Sequence, residues 1–240
     1  MVAERANGRY IVSPKFDTVR RLFEAETEIE LRDGPYGPFC YLSDEDEIET
    51  ALEWQDEFED LIFLRDNLDF SIAVDFNFAS AGVYTEVGQA EHDAKTSRSA
   101  NAIRTLSSKC IQTIRRVPFY SDSSMICAVP PSPNKEWDLP TEIVGRIAEK
   151  TGQTDISDRV VFTQEKESVK SLTLAQKWAA LQAGGLEVQR NVKGRKIVLV
   201  DDKYQSGTTA QFIASKLYEA GAAEVNGLFC VKTWRDTDNR

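Results

Sequence analysis

Two adjacent aspartates stand before a short loop of small polar residues. The segment 197–209 reads IVLVDDKYQSGTT. Its first four residues predict a buried strand, and Asp201 and Asp202 follow that strand. Neighbouring carboxylates can accept hydrogen bonds from two adjacent hydroxyl groups of a sugar. The pair therefore predicts a site for a vicinal diol.

The loop after the aspartates has the composition of a phosphate site. A helix is predicted from about residue 208, and a helix N-terminus offers backbone N–H groups and a positive dipole end to an anion. Gly207 lets the backbone approach such an anion closely, and the hydroxyl groups beside it add donors. The predicted phosphate loop comprises Gln205, Ser206, Gly207, Thr208 and Thr209. Phosphate and diol together outline a ribose 5-phosphate.

The elements that position these residues belong to an α/β pattern that begins near residue 68. Strands are predicted at 70–76, 124–130, 159–162, 197–200 and 225–231. Helices are predicted between them, at 98–116, 140–152, 174–184 and 208–220. This alternation indicates a parallel sheet of about five strands with helices on both faces. Ligands of such sheets bind beyond the carboxyl ends of the strands, where the aspartates lie.

The N-terminal part differs in composition, and we predict a small acidic α+β region at 1–66 followed by a domain at 67–240. Residues 44–60 hold ten acidic residues and no basic one, in a chain whose net charge is −10. We predict a helix there, capped by Ser43 with Asp46 and with Ile48, Leu52, Gln55 and Phe58 on one side. Its acidic surface is either a solvated helix face or a docking surface for a basic protein partner. The charge balance gives no support to a large nucleic-acid-binding surface, which would require clustered Lys and Arg residues.

Several function classes are disfavoured by composition. No apolar run approaches the roughly 20 residues of a membrane-spanning helix, and the N-terminus lacks the apolar region of a secretory signal, so we expect a cytoplasmic protein. His92 is the only histidine, which excludes a multi-histidine metal site, and residues 91–93 are interpreted as a polar turn. The four cysteines form no CxxC pair, and Cys110, Cys127 and Cys230 lie on predicted core faces.

Residues 200–209 resemble the phosphoribosyl-pyrophosphate (PRPP) signature of type I phosphoribosyltransferases, and the ComF-like branch is the most similar. Residues 128–131 resemble the family's strand that ends in prolines before its pyrophosphate loop. Residues 166–196 resemble the linker that the ComF-like group places before the signature strand. The similarity spans about residues 90–240.

The resemblance implies a fold, a reaction and roles for individual residues. The fold would be the parallel sheet of type I phosphoribosyltransferases, flanked by helices. Asp201 and Asp202 would hold the ribose hydroxyls, and the phosphate loop would hold the 5′-phosphate. Ser132 and Lys135 would belong to the pyrophosphate loop, although Lys135 is alternatively a solvated loop lysine. Mg²⁺ would be held through the ligand with the two aspartates nearby, and ribose 5-phosphate would pass from PRPP to a base or another acceptor with release of pyrophosphate.

The sequence departs from the family at several positions. Lys203 and Tyr204 stand where the family has aliphatic residues, and Gln205 replaces the carboxylate of purine-specific members. Because glutamine cannot transfer protons, hypoxanthine-type chemistry is not expected. A zinc cluster of the ComF-like group is also absent. The second hypothesis is therefore a catalytically weak or inactive PRPP- or nucleotide-binding regulatory or partner module, linked to DNA uptake, DNA processing or defence.

For several residues, the sequence leaves two interpretations open. Lys166 and Lys170 either belong to a loop that closes over the site or to a charged surface stretch. Tyr204 either stacks on a ligand or packs on a neighbouring helix. Trp234 either stacks on a bound base or caps the sheet edge. Since related enzymes are often dimers, a homodimer is the expectation for the assembly.

Overall fold

The computed structural model describes residues 1–164 and 172–234. The chain forms two compact units, Met1–Arg65 and Asp66–Arg240. Lys166 and Lys170 lie outside the described residues, so their two readings stay open.

The first unit is an α+β unit. Its strands are β1 (Val2–Glu4), β2 (Tyr10–Val12), β3 (Arg32–Gly34), β4 (Gly37–Tyr41) and β5 (Ile62–Phe63), and its helices are α1 (Asp17–Thr27) and α2 (Glu45–Phe58). Four of the strands form an antiparallel sheet in the order β1-β2-β4-β3. This agrees with the α+β character predicted for the N-terminal region.

The predicted cap of α2 is wrong by one residue. Asp44 is the N-cap, and its carboxylate accepts the N–H of Glu47 at 2.9 Å. The Glu47 carboxylate in turn accepts the backbone N–H and the hydroxyl of Ser43, at 2.7 and 2.8 Å. The helix thus starts one residue later than predicted, and Glu47, three residues after the cap, reaches back to Ser43 in place of Asp46.

The predicted apolar face of α2 is also partly wrong. Ala51, Trp54 and Phe58 are buried, whereas Leu52 is exposed. Trp54 packs edge-on against Phe23 of α1, with ring centroids 5.3 Å apart. The indole has more apolar surface to bury than any other side chain of the helix, and this decides which face turns inward.

The second unit contains the alternating elements. In chain order they are β6 (Phe70–Phe76), β7 (Phe78–Ser80), β8 (Val83–Tyr84), α3 (Glu86–Ser97), α4 (Ala100–Arg116), α5 (Pro118–Ser121), β9 (Met125–Ala128), α6 (Leu139–Thr151), β10 (Thr154–Asp155), a 3-10 turn (Ser157–Arg159), β11 (Val160–Phe162), α7 (Leu174–Ala183), β12 (Leu186–Val188), β13 (Lys196–Tyr204), α8 (Thr208–Glu219) and β14 (Glu224–Lys232).

The sheet of this unit is parallel, with its strands in the order β10-β9-β13-β14-β6. The central strands are buried on both faces, as their continuous apolar sequences require. The predicted α/β fold, with a parallel sheet flanked by helices, is therefore confirmed.

The chain changes direction across the sheet between β9 and β13. From β9 it runs through α6 to β10 on one side, and from β13 it runs through α8 to β14 on the other side. Since both are crossovers between parallel strands, their right-handedness places α6 and α8 on opposite faces. The carboxyl ends of β9 and β13 thus border a crevice, which is the usual place for a ligand in such a sheet.

Two predictions about elements need correction. The strand predicted at 159–162 forms as β11, but it does not join the parallel sheet, because it pairs antiparallel with β12 in a sheet of their own. Residues 91–93 are not a turn but lie within α3. The buried positions of α3 are mostly small, and one of them is Glu91, so the helix shows no apolar periodicity.

The start of α3 is fixed to the end of β6. The Thr85 hydroxyl donates to the carbonyl of Phe76 at 2.6 Å and accepts the N–H of Gly88 at 2.9 Å. A Cβ atom on Gly88 would overlap the backbone of Asn77. The glycine therefore lets α3 lie directly against the chain that leaves β6.

The cysteines predicted to be in the core are buried. Cys110, Cys127 and Cys230 are inaccessible, and the Sγ atoms of Cys110 and Cys230 lie 3.7 Å apart as free thiols. Among the helices that the structure describes, none has the length and apolar character to cross a membrane.

Candidate functional site

The aspartate pair lies within β13, not after it. The strand continues to Tyr204 because β14 runs beside it as far as Lys232, and Asp201 is in register with Phe229. Asp202 is buried, with 12% of its side chain exposed. The Asp201 carboxylate accepts the N–H of Asp202 at 2.9 Å. Both residues are therefore held by the central strand at the edge where ligands bind.

The phosphate loop forms the beginning of α8. Gly207 is the N-cap residue and has a φ of 69°, a conformation that favours glycine. Among the described residues, no side chain caps this helix. The hydroxyls of the buried residues Ser206 and Thr208 lie 2.9 Å apart. The first amides of α8 and two hydroxyls thus converge at a helix N-terminus, which suits an anion.

The side chain of Tyr204 packs against this loop at Gly207. It is 2% exposed and packs edge-on against Phe229, with ring centroids 4.8 Å apart. Its hydroxyl lies where a Cβ of Gly207 would be, and it hydrogen-bonds to Asp66. Burial raises the pKa of Asp66 above its ordinary value. Of the two alternatives for Tyr204, stacking on a ligand does not fit so buried a ring, and the packing is against Phe229 of strand β14 and not against a helix.

A lysine that the sequence analysis missed reaches the phosphate loop. Lys177 of α7 is 5% exposed, and its Nζ lies 3.4 Å from the Ser206 hydroxyl. The adjacent Trp178 packs edge-on against Phe212 of α8, with centroids 5.1 Å apart, and so ties the two helices together. Lys177 is the only charged residue of α7, which is the one sequence signal that could have identified it.

A chain of alternating charges leads from Asp202 into α3. The Lys95 Nζ lies 2.9 Å from the Asp202 carboxylate and 2.8 Å from that of Glu91. The other carboxylate oxygen of Glu91 lies 2.9 Å from the Lys203 Nζ. Burial by itself lowers the pKa of Lys95, but Asp202 and Glu91 outweigh it and raise that pKa above its ordinary value. Lys95 therefore stays charged at neutral pH.

This network was not predicted from the sequence. Glu91 and Lys95 have the i,i+4 spacing of a helical ion pair, and that spacing could have indicated the helix. The unusual Lys203 of the signature segment has a structural partner, since it neutralises a glutamate whose side chain is only 2% exposed.

Two cavities meet at the aspartates. The first, which we call the phosphate-loop cavity, is about 320 Å³ and is lined by residues 205–209 with Lys177. The second, which we call the proline-loop cavity, is about 730 Å³ and is lined by parts of 129–140 with Arg98. Asp201, Asp202 and Lys95 line both cavities.

The proline-loop cavity contains the residues predicted for pyrophosphate. Ser132 and Lys135 both line it, and the Lys135 N–H donates to the Ser132 carbonyl at 3.0 Å. The side chain of Lys135 is exposed. The fold thus brings 132–135 and 205–209 to the same aspartates, on the two sides of the crevice between β9 and β13.

The donor set suits a magnesium ion that is held mainly by a ligand. Within the described residues, no three His, Cys, Asp or Glu side chains are grouped to hold a metal ion. Four carboxylates line the two cavities. Asp201 and Asp202 line both, whereas Glu136 and Asp138 line only the proline-loop cavity. Mg²⁺ commonly uses one or two carboxylates together with phosphate oxygens and water, so the residues fit this mode.

Trp234 borders a different cavity of about 260 Å³, which also includes Asn77 and Phe78. Its backbone N–H donates to the Asn77 side chain at 2.7 Å. This cavity shares no lining residue with the two at the aspartates. The structure therefore does not bring Trp234 to the aspartate site.

Comparison with known proteins gives no match to any protein-family model and none to a curated protein. Solved structures with a similar fold include a hypoxanthine-guanine phosphoribosyltransferase of L. donovani, with 13% identity, a TM-score of 0.36, and coverage of 54% of this chain and 70% of that one. A purine phosphoribosyltransferase of Pyrococcus horikoshii has 11% identity and a TM-score of 0.36, with 55% and 87% coverage. The Leishmania tarentolae enzyme in complex with GMP has 14% identity and a TM-score of 0.33, with 54% and 65% coverage. Global similarity of this size does not assign an activity, which depends on the site.

Proposed function

We propose that this chain is a phosphoribosyltransferase that uses PRPP as the donor and releases pyrophosphate. The observation that carries the proposal is the position of Asp201 and Asp202 between two cavities, each with groups that suit an anion. PRPP has this pattern, with a diol between a 5′-phosphate and a 1-diphosphate. The similarity of residues 200–209 to the PRPP signature supports the same ligand.

Each part of the donor has a counterpart in the site. The 5′-phosphate fits the phosphate-loop cavity, where the amides of α8 and the Lys177 ammonium face it. The ribose hydroxyls donate to Asp201 and Asp202. The diphosphate then extends into the proline-loop cavity, toward Ser132 and Lys135. Mg²⁺ bound to the donor's oxygens, with the aspartates beside it, would neutralise charge on the diphosphate.

The reaction is a displacement at C1 of the ribose. The bond from C1 to the diphosphate oxygen breaks, and its electron pair leaves with pyrophosphate. A lone pair of the acceptor forms the new bond to C1, and the acceptor loses its proton afterwards. Positioning of the sugar by the aspartates and stabilisation of the leaving group by fixed positive charge are the contributions of the protein.

The acceptor is a nucleobase or another nucleophile that needs no proton transfer from residue 205. Gln205 is exposed and lines the phosphate-loop cavity, but an amide is neither an acid nor a base. This favours an acceptor whose attacking atom is deprotonated by solvent. Membership of the ComF-like branch and a homodimeric assembly belong to the same proposal.

A second candidate is a module that binds PRPP or a nucleotide without turnover. It is favoured by the ion pair of Asp202 with Lys95, which neutralises one of the two aspartates. Such a module would act in regulation or through a partner, with DNA uptake, DNA processing or defence as the candidate settings. Pyrophosphate release from PRPP with a panel of bases separates the two candidates, because only the enzyme releases it.

The proposal is tested by calorimetric titration of PRPP, with and without Mg²⁺, into the wild type and the Asp201→Asn/Asp202→Asn double variant. We expect Mg²⁺-dependent binding that weakens at least tenfold in the variant, because each lost charge-assisted hydrogen bond is worth about 1.5–3 kcal/mol. Asp158→Asn, at an exposed position, is the control and should bind as the wild type does. A folded wild type that does not bind PRPP would contradict the proposal.

A further inference from the structure

We infer that the C-terminal end of α3 is the second wall of the pyrophosphate site, and that Lys95 and Arg98 bind the diphosphate opposite residues 132–135. This inference rests on the proposed function, since it names further groups for the same donor. It extends the site to a helix that lies more than 100 residues before the aspartates in the sequence.

The two cations face one cavity. Lys95 lies in the last turn of α3 and Arg98 is its C-cap residue, so both stand at the C-terminal end of the helix. Both line the proline-loop cavity, together with Ser132 and Lys135 from its other wall. A diphosphate in this cavity would therefore have positive charge on both sides.

The Lys95 ammonium is paired yet still accessible. It forms ion pairs with Asp202 at 2.9 Å and with Glu91 at 2.8 Å. Its side chain is 38% exposed and lines the cavity, so a ligand there can reach the ammonium. The Lys95 ammonium is thus held at the junction of the two cavities, where the bond between C1 and the diphosphate would lie.

Glu91 and Lys203 position this ammonium. Glu91 is nearly inaccessible and divides its two oxygens between Lys95 and Lys203. The arrangement prevents the lysine from turning away into solvent. Glu91 and Lys203 act through Lys95 and are positioning residues.

Arg98 connects the two walls. It ends α3 in a left-handed conformation with a φ of 52°. Its guanidinium lies over the ring of Trp137, 4.9 Å from the centroid, and Trp137 also lines the cavity. This contact holds the guanidinium beside the cavity, and the paired N–H donors of a guanidinium suit two phosphate oxygens.

Electrostatics make these cations necessary. A diphosphate beside Asp201 and Asp202 meets two carboxylates, and the C-terminal end of α3 adds the negative end of a helix dipole. Lys95, Arg98 and Lys135 are all exposed, so solvent screens the charge of each in part. Lys95 and Arg98 therefore add to Lys135 and offset the repulsion from the opposite wall of the cavity.

The inference is tested by titrating pyrophosphate and ribose 5-phosphate separately, each with Mg²⁺, into the wild type and the variants Arg98→Met and Lys95→Met. We expect pyrophosphate affinity to fall at least tenfold in each variant. For Arg98→Met, which has no contact with Asp202, the affinity for ribose 5-phosphate should stay within about twofold. Arg104→Met, at an exposed position of α4, should change neither affinity. A purely structural role would weaken both ligands together.

Two outcomes separate the inference from the proposed function. If the wild type binds both ligands but Arg98→Met binds pyrophosphate as the wild type does, the inference is wrong and the proposed function stands. If the folded wild type binds neither PRPP nor pyrophosphate, the proposed function fails as well. Thermal unfolding reports whether Lys95→Met is folded, and Lys95→Arg, which keeps the charge, should recover pyrophosphate binding. If Lys95→Met does not fold, Arg98→Met decides.

Discussion

Four neighbouring side chains at the site alternate in charge. They are Asp202, Lys95, Glu91 and Lys203, and each ion-pair distance between neighbours is 2.8–2.9 Å. An unpaired charge in such an enclosed place would be costly, so each member depends on its neighbours. Asp201 lies beside this chain of pairs as a second carboxylate. A ligand that brings a cation with it, as the proposed Mg²⁺-bound PRPP would, suits two neighbouring carboxylates.

At this scale, Lys177→Met is expected to weaken the binding of ribose 5-phosphate about tenfold or more, because a hydrogen bond to a charged group is worth about 1.5–3 kcal/mol. Pyrophosphate should bind as before, since Lys177 does not line the proline-loop cavity. Calorimetric titration of both ligands measures the difference. Lys193→Met, at an exposed position, is the matched control. Unchanged ribose 5-phosphate affinity in Lys177→Met would show that this lysine has only a structural role.

The helix α3 is the element that completes the site. It carries Glu91, Lys95 and Arg98, and its distance from the sheet depends on Gly88. A larger residue at 88 would have to displace either α3 or the backbone of Asn77. The geometry of the ion pairs is therefore set by one glycine at the start of the helix.

We predict that Gly88→Ala lowers the free energy of unfolding by about 1–3 kcal/mol, the usual cost of overpacking, and weakens pyrophosphate binding. Gly145→Ala is the matched control, because Gly145 also lies inside a helix and a Cβ there meets no atom within 4 Å. That variant should gain up to about 1 kcal/mol from helix propensity. Urea unfolding measures both changes, and equal effects would contradict the role of Gly88.

The candidate site and the acidic helix α2 lie in different units of the molecule. Every residue of the candidate site belongs to the second unit, whereas the acidic helix α2 belongs to the first. Asp44 and Glu47 make hydrogen bonds at the start of α2, but most acidic side chains of the helix are exposed. We keep the hypothesis that this surface docks a basic protein partner.

The triple variant Glu49→Gln/Glu53→Gln/Asp56→Asn should bind PRPP with an affinity within about twofold of the wild type. Binding of a basic probe, oligolysine, should weaken, because the three side chains are exposed and charged. Calorimetry at low salt measures both. Glu142→Gln/Glu149→Gln on α6 is the control for general surface charge. Equal loss of oligolysine binding in the control would mean that α2 has no special role.

Much of the second unit could be predicted because its signals are local. The segments 70–76 and 225–231, the first predicted from its alternating apolar residues, are strands in the structure, and the helix that begins at 208 follows directly from the glycine loop. The errors have equally physical causes. Residues 160–162 have strand character but no partner in the parallel sheet, and pairing with 186–188 depends on contacts that a single segment does not reveal.

The sequence by itself determined that two carboxylates and a glycine loop stand in one contiguous segment, 201–209, and this is why a sugar-phosphate site could be predicted there. It also determined that the strand carrying the carboxylates belongs to an α/β sheet, because burial on both faces requires an unbroken apolar run. Only the tertiary structure decided which cations join the site. Lys95, Arg98 and Lys177 reach it from helices distant in sequence, and the small buried residues of α3 left no periodic signal. Their role depends on packing between elements, and packing of that kind is a property of the folded chain.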